Sequence, residues 1–324
     1  MADSPGSWTR HWTLVPESRR ELWEFIGNAA FGLGPQARVV WRGLPDSTYA
    51  VKSSLVRDLE RRGIPLKEET LRRREMEILD VARDWDIGLS EHGTVSDLHL
   101  LAMLQHHGAP TRLIDVTYNP LTALWFACSD EEKKDEPGLL VVMTVTDTHK
   151  HTTSEHASLT FDTLDVPGAA TLVTVLRQSR ATGNAFILDP RPKDARMKAQ
   201  EGAFIGSYWP SEPAVGPVVG LPYSSLAAAL GYALKGETDE SMMVNGDSWN
   251  SFGLAGILIS PELKRELLPV LDHTFNRSHR TMYPDVPGFV GAFRDNLLDA
   301  RMSAFSPTRE DGRPRWPEYW KDES

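Results

Sequence analysis

The chain has one cysteine, Cys128, which excludes an internal disulfide and a cysteine-built zinc cluster and points to a reducing compartment. It has no apolar run of 18 residues, so no segment of the sequence reads as a transmembrane helix. The first 30 residues carry Arg10, His11, Arg19 and Arg20 without the apolar stretch of a secretory signal, and cytoplasm is the expected location with no membrane partner. Positive charge is also scarce: 35 Lys and Arg stand against 45 Asp and Glu, a net charge of −10. That balance excludes a protein that coats nucleic acid through its bulk field and leaves room only for a local basic groove. No Walker A sequence, GxGxxG, HExxH or nucleophile elbow occurs, which removes P-loop, Rossmann, zincin and Ser-His-Asp chemistry. His106 and His107 are adjacent and point about 100° apart on a helix, so they do not form a ligand pair, and no metal is expected. Cys128 falls on the buried stripe of a predicted helix and reads as a packed thiol.

What is present is an ordinary core-forming composition, 40% hydrophobic and 25% charged over 324 residues, enough to bury about three quarters of the unfolded surface. Periodicity predicts helices over 17–33, 53–62, 67–85, 94–107, from Asn119-Pro120 onward, 224–235 and 261–273. In the second of the long helices, Leu71, Met76, Ile78, Leu79 and Ala82 are expected to face the core, with Arg72, Arg73 and Arg74 on the wet side. Strands are predicted at 38–43, 111–117, 139–146, 185–188, 202–206 and 255–259; the run LLVVMTVT at 139–146 reads as buried on both faces. Residues 1–16 read as an arm, 149–168 as a long loop and 301–324 as a peripheral tail, around a main body over 17–300. The expected fold is a single irregular α+β domain with a mixed central sheet.

Chemistry concentrates in QHHGAPTRLIDVTYNPLTALWF, residues 105–126, where a helix, a Gly/Pro turn, a strand and an Asn-Pro helix start follow one another. Such a strand mouth facing a helix N-terminus favours an anion, because unpaired N–H groups and the helix dipole converge there. Alternation puts Asp115 and Thr117 on one face and Arg112, Ile114 and Val116 on the other. The plain alternative for Asp115 is a structural ion pair with Arg112 or Arg42. Arg42, at a strand end beside Gly43, suits bidentate contact with phosphate or ribose oxygens. Ser54 and Arg57 start the next helix, another place for a phosphate. His106 is a candidate general base or substrate contact, with a helix-end histidine satisfied by a carbonyl as the bland alternative.

Together, WRG at 41–43, Tyr49, Ser53, Ser54, Leu55 and Arg57, the block from Gln105 to Ala127, Arg196 with Gln200, Gly202 and Phe204, residues 259–264 and TMYPDVPG at 281–288 resemble the FRG domain, a family named for its aromatic-Arg-Gly element. The resemblance runs over roughly residues 20–295. It implies a domain of bacterial and phage proteins met near mobile and defence genes, and the chain also looks like a distant ADP-ribosyltransferase-type fold. In that likeness NAD is the co-substrate. Arg42 clamps the pyrophosphate or nicotinamide ribose, Thr117 orients Arg42 and the acidic or amide residue, and Gln200 or Glu201 meets the ribose 2′-hydroxyl. Gln105, His106, Arg112, Gly43, Ser54 and Arg57 line the pocket and Asp115 lies within it. The implied function is a toxin or phage-defence effector with ADP-ribosyltransferase or NAD-glycohydrolase-type chemistry on a protein or nucleic-acid target, with an antitoxin or phage protein as partner. The alternative is a catalytically silent module that binds a nucleotide or a protein. Gln200, where an active transferase carries a carboxylate, is a departure from pattern.

Overall fold

The computed structural model describes residues 13–31, 37–90, 93–146, 150–154, 171–191, 193–210, 218–221, 224–225 and 253–294. Nine strands form one sheet: β1 (Thr13–Leu14), β2 (Ala37–Leu44), β5 (Ile114–Thr117), β6 (Gly138–Thr146), β7 (Lys150–Ser154), β8 (Phe186–Arg191), β9 (Gly202–Gly206), β10 (Ser224–Ser225) and β11 (Gly253–Ile259). A small hairpin, β3 (Leu89–Ser90) with β4 (Gly93–Thr94), stands apart. The sheet order is β1-β11-β6-β2-β5-β9-β8-β7, with β10 also on β11; the edge pairs β1/β11, β10/β11 and β7/β8 are parallel and the rest antiparallel. The sheet is therefore mixed, as the sequence reading expects. The helices are α1 (Arg19–Phe31), α2 (Ser54–Arg61), α3 (Glu68–Asp84), α4 (Asp97–His106), α5 (Pro120–Cys128), α6 (Leu172–Thr182), α7 (Ala195–Ala199), α8 (Pro261–His273), α9 (His279–Met282) and α10 (Val286–Arg294).

β6 is the centre of the sheet, and its near-continuous apolar run is explained by cores on both sides. Leu140 and Val142 pack with Trp41, Ile257 and the apolar stripes of α1, α5 and α8, including Leu22, Phe25, Leu124 and Leu267. Leu139, Val141, Met143 and Val145 face the opposite core with Val40, Ile114, Val116, Ile187 and Ile205. Each fully buried aliphatic side chain contributes roughly 1.5–3 kcal/mol. Over β5, β9 and β8 the first face is covered instead by α3, α4 and α6, through Leu98, Leu101, Leu176, Phe186, Leu188 and Phe204. One sheet face thus carries two helix groups, and β5 runs near the seam between them.

Local sequence sets the helix starts. Ser96 Oγ accepts from His99 N at 3.2 Å, so α4 begins at Asp97 rather than at Thr94, which belongs to the hairpin. Asn119 Oδ1 accepts from Leu121 N at 2.8 Å ahead of Pro120, where a missing N–H costs nothing. Along α3 the wet side is as expected, with Arg72 paired to Glu68 and Arg74 to Glu77. Met76, however, is exposed and the buried stripe is Glu68, Leu71, Glu75, Leu79 and Ala82.

Several boundaries differ from the sequence reading. Thr13–Leu14, read as part of an arm, pairs with Gly256 and Ile257. The expected strand over 111–117 shortens to 114–117 because its first residues are satisfied elsewhere: Leu55 N donates to Thr111 O, Arg112 N to Glu75 Oε1 and Leu113 N to Thr111 Oγ1. The expected loop over 149–168 contains β7. The first two residues of the helix expected over 224–235 pair with β11; its remainder, residues 1–12 of the arm and the 301–324 tail lie outside the described residues. No helix among the described residues is long and apolar enough to cross a membrane.

Candidate functional site

The polar residues gather where the sheet loosens. β2 runs beside β6 for eight residue pairs but meets β5 at one only, Trp41 with Thr117. Beyond that pair the two strands part, and the Arg42 side chain enters the gap. Its Nη1 donates to the main-chain oxygen of Asp115 at 2.5 Å and lies 3.9 Å from Asp115 Oδ2. Its Nε is shut from solvent with no acceptor among the described residues. Burial holds this guanidinium below its ordinary pKa; Asp115 opposes the shift and Arg57, on α2, adds to it by repulsion.

Asp115 pairs across β9 with Phe204, so it shares the face covered by helices and sits on the seam between the two groups. The carboxylate is 57% exposed. Gln105 Nε2 donates to Asp115 Oδ2 at 3.1 Å, while Gln105 Oε1 accepts from Thr111 Oγ1 at 2.7 Å and from Ser54 Oγ at 3.4 Å. A hydroxyl on one side and a carboxylate on the other fix the orientation of this amide. Ser54, Thr111, Gln105, Asp115 and Arg42 therefore form one connected chain. Arg57 donates to Lys52 O at 2.9 Å and stands within electrostatic reach of Arg42.

On the α4 side of the seam, His106 Nε2 lies 2.8 Å from Asp194 Oδ2, whose other oxygen caps α7 by accepting from Met197 N. The expected backbone partner for this histidine is thus replaced by a carboxylate. Burial lowers the His106 pKa, with Asp194 opposing, so the ring favours its neutral form. α7 also brings Arg196 over the Tyr283 ring at 4.4 Å, and His279 stacks on that ring at 4.8 Å. Burial raises the Tyr283 pKa, and Asp115 is close enough to oppose ionisation further. Asp194, Arg196 and Tyr283 border the site without having been picked out as site residues. Arg196 and Tyr283 stood inside quoted motifs, but only the fold places them on one ring.

The third stretch joins through β9. Thr117 is opposite Gly202, so Trp41, Thr117 and Gly202 stand in one row across three adjacent strands. Thr117 Oγ1 donates to Gln200 O at 2.7 Å and accepts from Asn119 N at 3.0 Å; it holds the turn that carries Gln200 and Glu201 and has no hydrogen bond to Arg42. Gln200 Nε2 donates to Met282 O at 3.0 Å. Glu201 has a left-handed backbone (φ 50°), and its Oε1 accepts from Asn119 Nδ2 at 2.7 Å and Arg277 Nη2 at 3.0 Å. This turn sends the Gln200 and Glu201 side chains to different partners.

Two expected pocket residues are elsewhere. Arg112 is buried on α3: Nε contacts both oxygens of Glu75, at 3.0 and 2.8 Å, and Nη1 both oxygens of Glu68, at 3.0 Å. Nη2 sits 2.7 Å from Glu75 Oε2 by proximity rather than along an N–H direction. Burial pulls this pKa down, yet Glu75 and Glu68 together carry it above the ordinary value. Gly43 offers no approach for a ligand, because the space beside it holds α5: a Cβ there would lie 1.8 Å from Ala123 O. A separate hollow of about 420 Å³ opens between α5 and α8, lined by Cys128, Lys264 and Leu268 among others, away from Arg42 and Asp115. Burial pushes the Cys128 thiol up to about 12. Among the described residues no group of three or more His, Cys, Asp or Glu is set to hold a metal ion.

Residues 37–136, which contain Arg42, Ser54, Arg57, Gln105, His106, Asp115 and Thr117, match the FRG family, so this part of the chain is an FRG domain. The match is shorter than the resemblance over 20–295; Asp194, Arg196, Gln200, Glu201 and Tyr283 lie beyond it. No curated protein and no solved structure matches the chain.

Proposed function

We propose that the gap between β2 and β5 binds NAD and that the protein cleaves its nicotinamide glycosidic bond, by hydrolysis or by ADP-ribosyl transfer. The single observation that carries this reading is the pairing of an incompletely satisfied Arg42, with Arg57 beside it, and a half-exposed Asp115 carboxylate. Two guanidinium groups against one carboxylate leave net positive charge, which a pyrophosphate neutralises through bidentate contacts. Asp115, oriented by Gln105, is positioned to stabilise the positive charge that develops on the ribose as nicotinamide leaves. Glu201, held by Arg277 and Asn119, is a second carboxylate for the ribose hydroxyls, and Thr117 fixes the turn that carries it. His106, neutral and aligned by Asp194, is suited to accept a proton from the incoming nucleophile.

In the cell this activity belongs to a toxin or phage-defence effector that acts on a protein or nucleic-acid target and is restrained by an antitoxin or triggered by a phage protein. The test is nicotinamide release from NAD by the purified chain. Asp115→Asn and Arg42→Ala are each expected to reduce turnover by at least 100-fold while the thermal transition is retained. A second reading, a silent nucleotide- or protein-binding module, is favoured by Gln200 and by the ties of Glu201 to Arg277. It takes over if NAD raises the transition temperature without any nicotinamide appearing.

A further inference from the structure

A second group of charges lies on the sheet face opposite the helices. Leu188 faces the helix layer, so its neighbour Asp189 faces the other way, as do Val116, Ala203 and the Arg42 side chain at its root. Asp189 is almost fully buried, 5% exposed, and three cations surround it: Lys193 Nζ at 2.7 Å, Lys150 Nζ at 3.4 Å and Arg191 Nη2 at 3.9 Å. The two ammonium groups also share one aromatic ring, lying 5.3 Å (Lys150) and 5.5 Å (Lys193) from the centre of Tyr118. One carboxylate balances one of these charges, and the ring quadrupole offsets a further part. Among the described residues this leaves an excess of positive charge around Asp189.

The two lysines are not ordinary solvated surface groups. Their side chains are 20% and 19% exposed, held by Asp189 and by Tyr118, so their conformational freedom is already restricted before any ligand arrives. Each ammonium has three N–H donors and Asp189 satisfies only part of that capacity. A tetrahedral anion offers several acceptor oxygens to donors that Asp189 leaves unfilled.

We infer that Lys150 and Lys193, set on Tyr118, bind a phosphate group. β8 is separated from β2 by β9 and β5, a distance of about 14 Å at ordinary strand spacing. Arg42 is rooted on the same sheet face, but its guanidinium turns into the gap between β2 and β5 to meet Asp115. Val116 and Ala203, which lie between the two on this face, are buried in its core, so the lysine site and Arg42 hold separate anions. Two sources have this chemistry: the adenylate end of a dinucleotide, or the backbone of a nucleic-acid target. The second extends the proposed glycosidic chemistry by naming its acceptor, while the phosphate site itself does not depend on that chemistry.

The experiment is lysine acylation of the unaltered chain read by mass spectrometry, with ADP-ribose in one arm and a single-stranded oligonucleotide in the other. Protection of Lys150 and Lys193 by ADP-ribose assigns the site to the dinucleotide; protection by the oligonucleotide alone assigns it to a nucleic-acid target. The double variant Lys150→Gln/Lys193→Gln is expected to lose at least tenfold in affinity for the protecting probe. If neither probe protects the two lysines, the inference is overturned, whatever the double variant does. No turnover is measured, so this result and that of the nicotinamide assay can fail separately.

Discussion

Two arginines in the FRG segment, seventy residues apart, show opposite designs. Arg112 is closed in by Glu75 and Glu68, hydrogen-bonded through Nε and Nη1 with Nη2 beside Glu75, and it ties α3 to the entry of β5. Arg42 is held by one main-chain oxygen and a distant carboxylate, and its Nε has no acceptor. Satisfied buried charge is a structural device that leaves nothing for a ligand. Unsatisfied charge beside an exposed carboxylate is stored binding capacity, kept at some cost to stability.

The comparison breaks most visibly at Glu75. Glu75→Ala leaves the Arg112 guanidinium buried without its main partner and is expected to destabilise by about 3–5 kcal/mol, read as a lower denaturant midpoint. A midpoint change below about 1 kcal/mol would show that the Arg112 site is plastic and remove the contrast. Next comes Gly43→Ala, whose methyl group meets the α5 backbone at 1.8 Å and has no flexible side chain to displace; a cost of roughly 1–3 kcal/mol or more is expected by the same measurement. Ordinary stability in that variant would mean that Gly43 faces open space, as a ligand-binding role requires.

Asp46 supplies a smaller, pH-dependent effect. It is buried, accepts from Thr48 N at 2.9 Å and pairs with Lys133 at 2.9 Å. Burial pushes its carboxyl up, but the Lys133 and Thr48 hydrogen bonds outweigh this and hold it below the usual carboxylate range. In the window between the depressed value and the ordinary one the unfolded chain binds the proton more readily. The stabilisation is therefore present above the ordinary value and is lost as pH falls through the folded one. Asp46→Asn is expected to cost about 1 kcal/mol at neutral pH and to flatten the acid limb of the stability curve; an unchanged limb would assign the acid sensitivity to other carboxylates. The smallest stability effect is expected at Arg42: Arg42→Ala changes the midpoint by less than about 1 kcal/mol, because little of its bonding is satisfied, yet abolishes the rise in transition temperature produced by ADP-ribose. A loss of several kcal/mol would make Arg42 a second Arg112.

Much of this was legible residue by residue. The unbroken apolar run of β6 announced a strand with a core on each face, and Asn119-Pro120 and Ser260-Pro261 marked helix starts through local capping. Glu75 was missed although its spacing was visible: 68, 71, 75, 79 and 82 recur at helical steps, but glutamates among three arginines read as solvent-facing. β1 and β10, two residues each, carry no periodic signal and exist only because β11 pairs with them. At the site, Arg42, Ser54, Gln105 and Asp115 were picked out by type and position. The partner of Asp115 remained open between two arginines until the fold separated them.

Sequence alone determined the central strands, the capped helix starts and which polar residues are too costly to bury unpaired, since these depend on neighbours within a turn or a strand repeat; β1, β7, β10 and α6 were not among them. Tertiary structure decided which arginine was consumed by partners and which was left able to bind. That outcome depends on α3 closing over Arg112 and on β2 parting from β5 after one residue pair, contacts between segments tens of residues apart that local pattern does not encode.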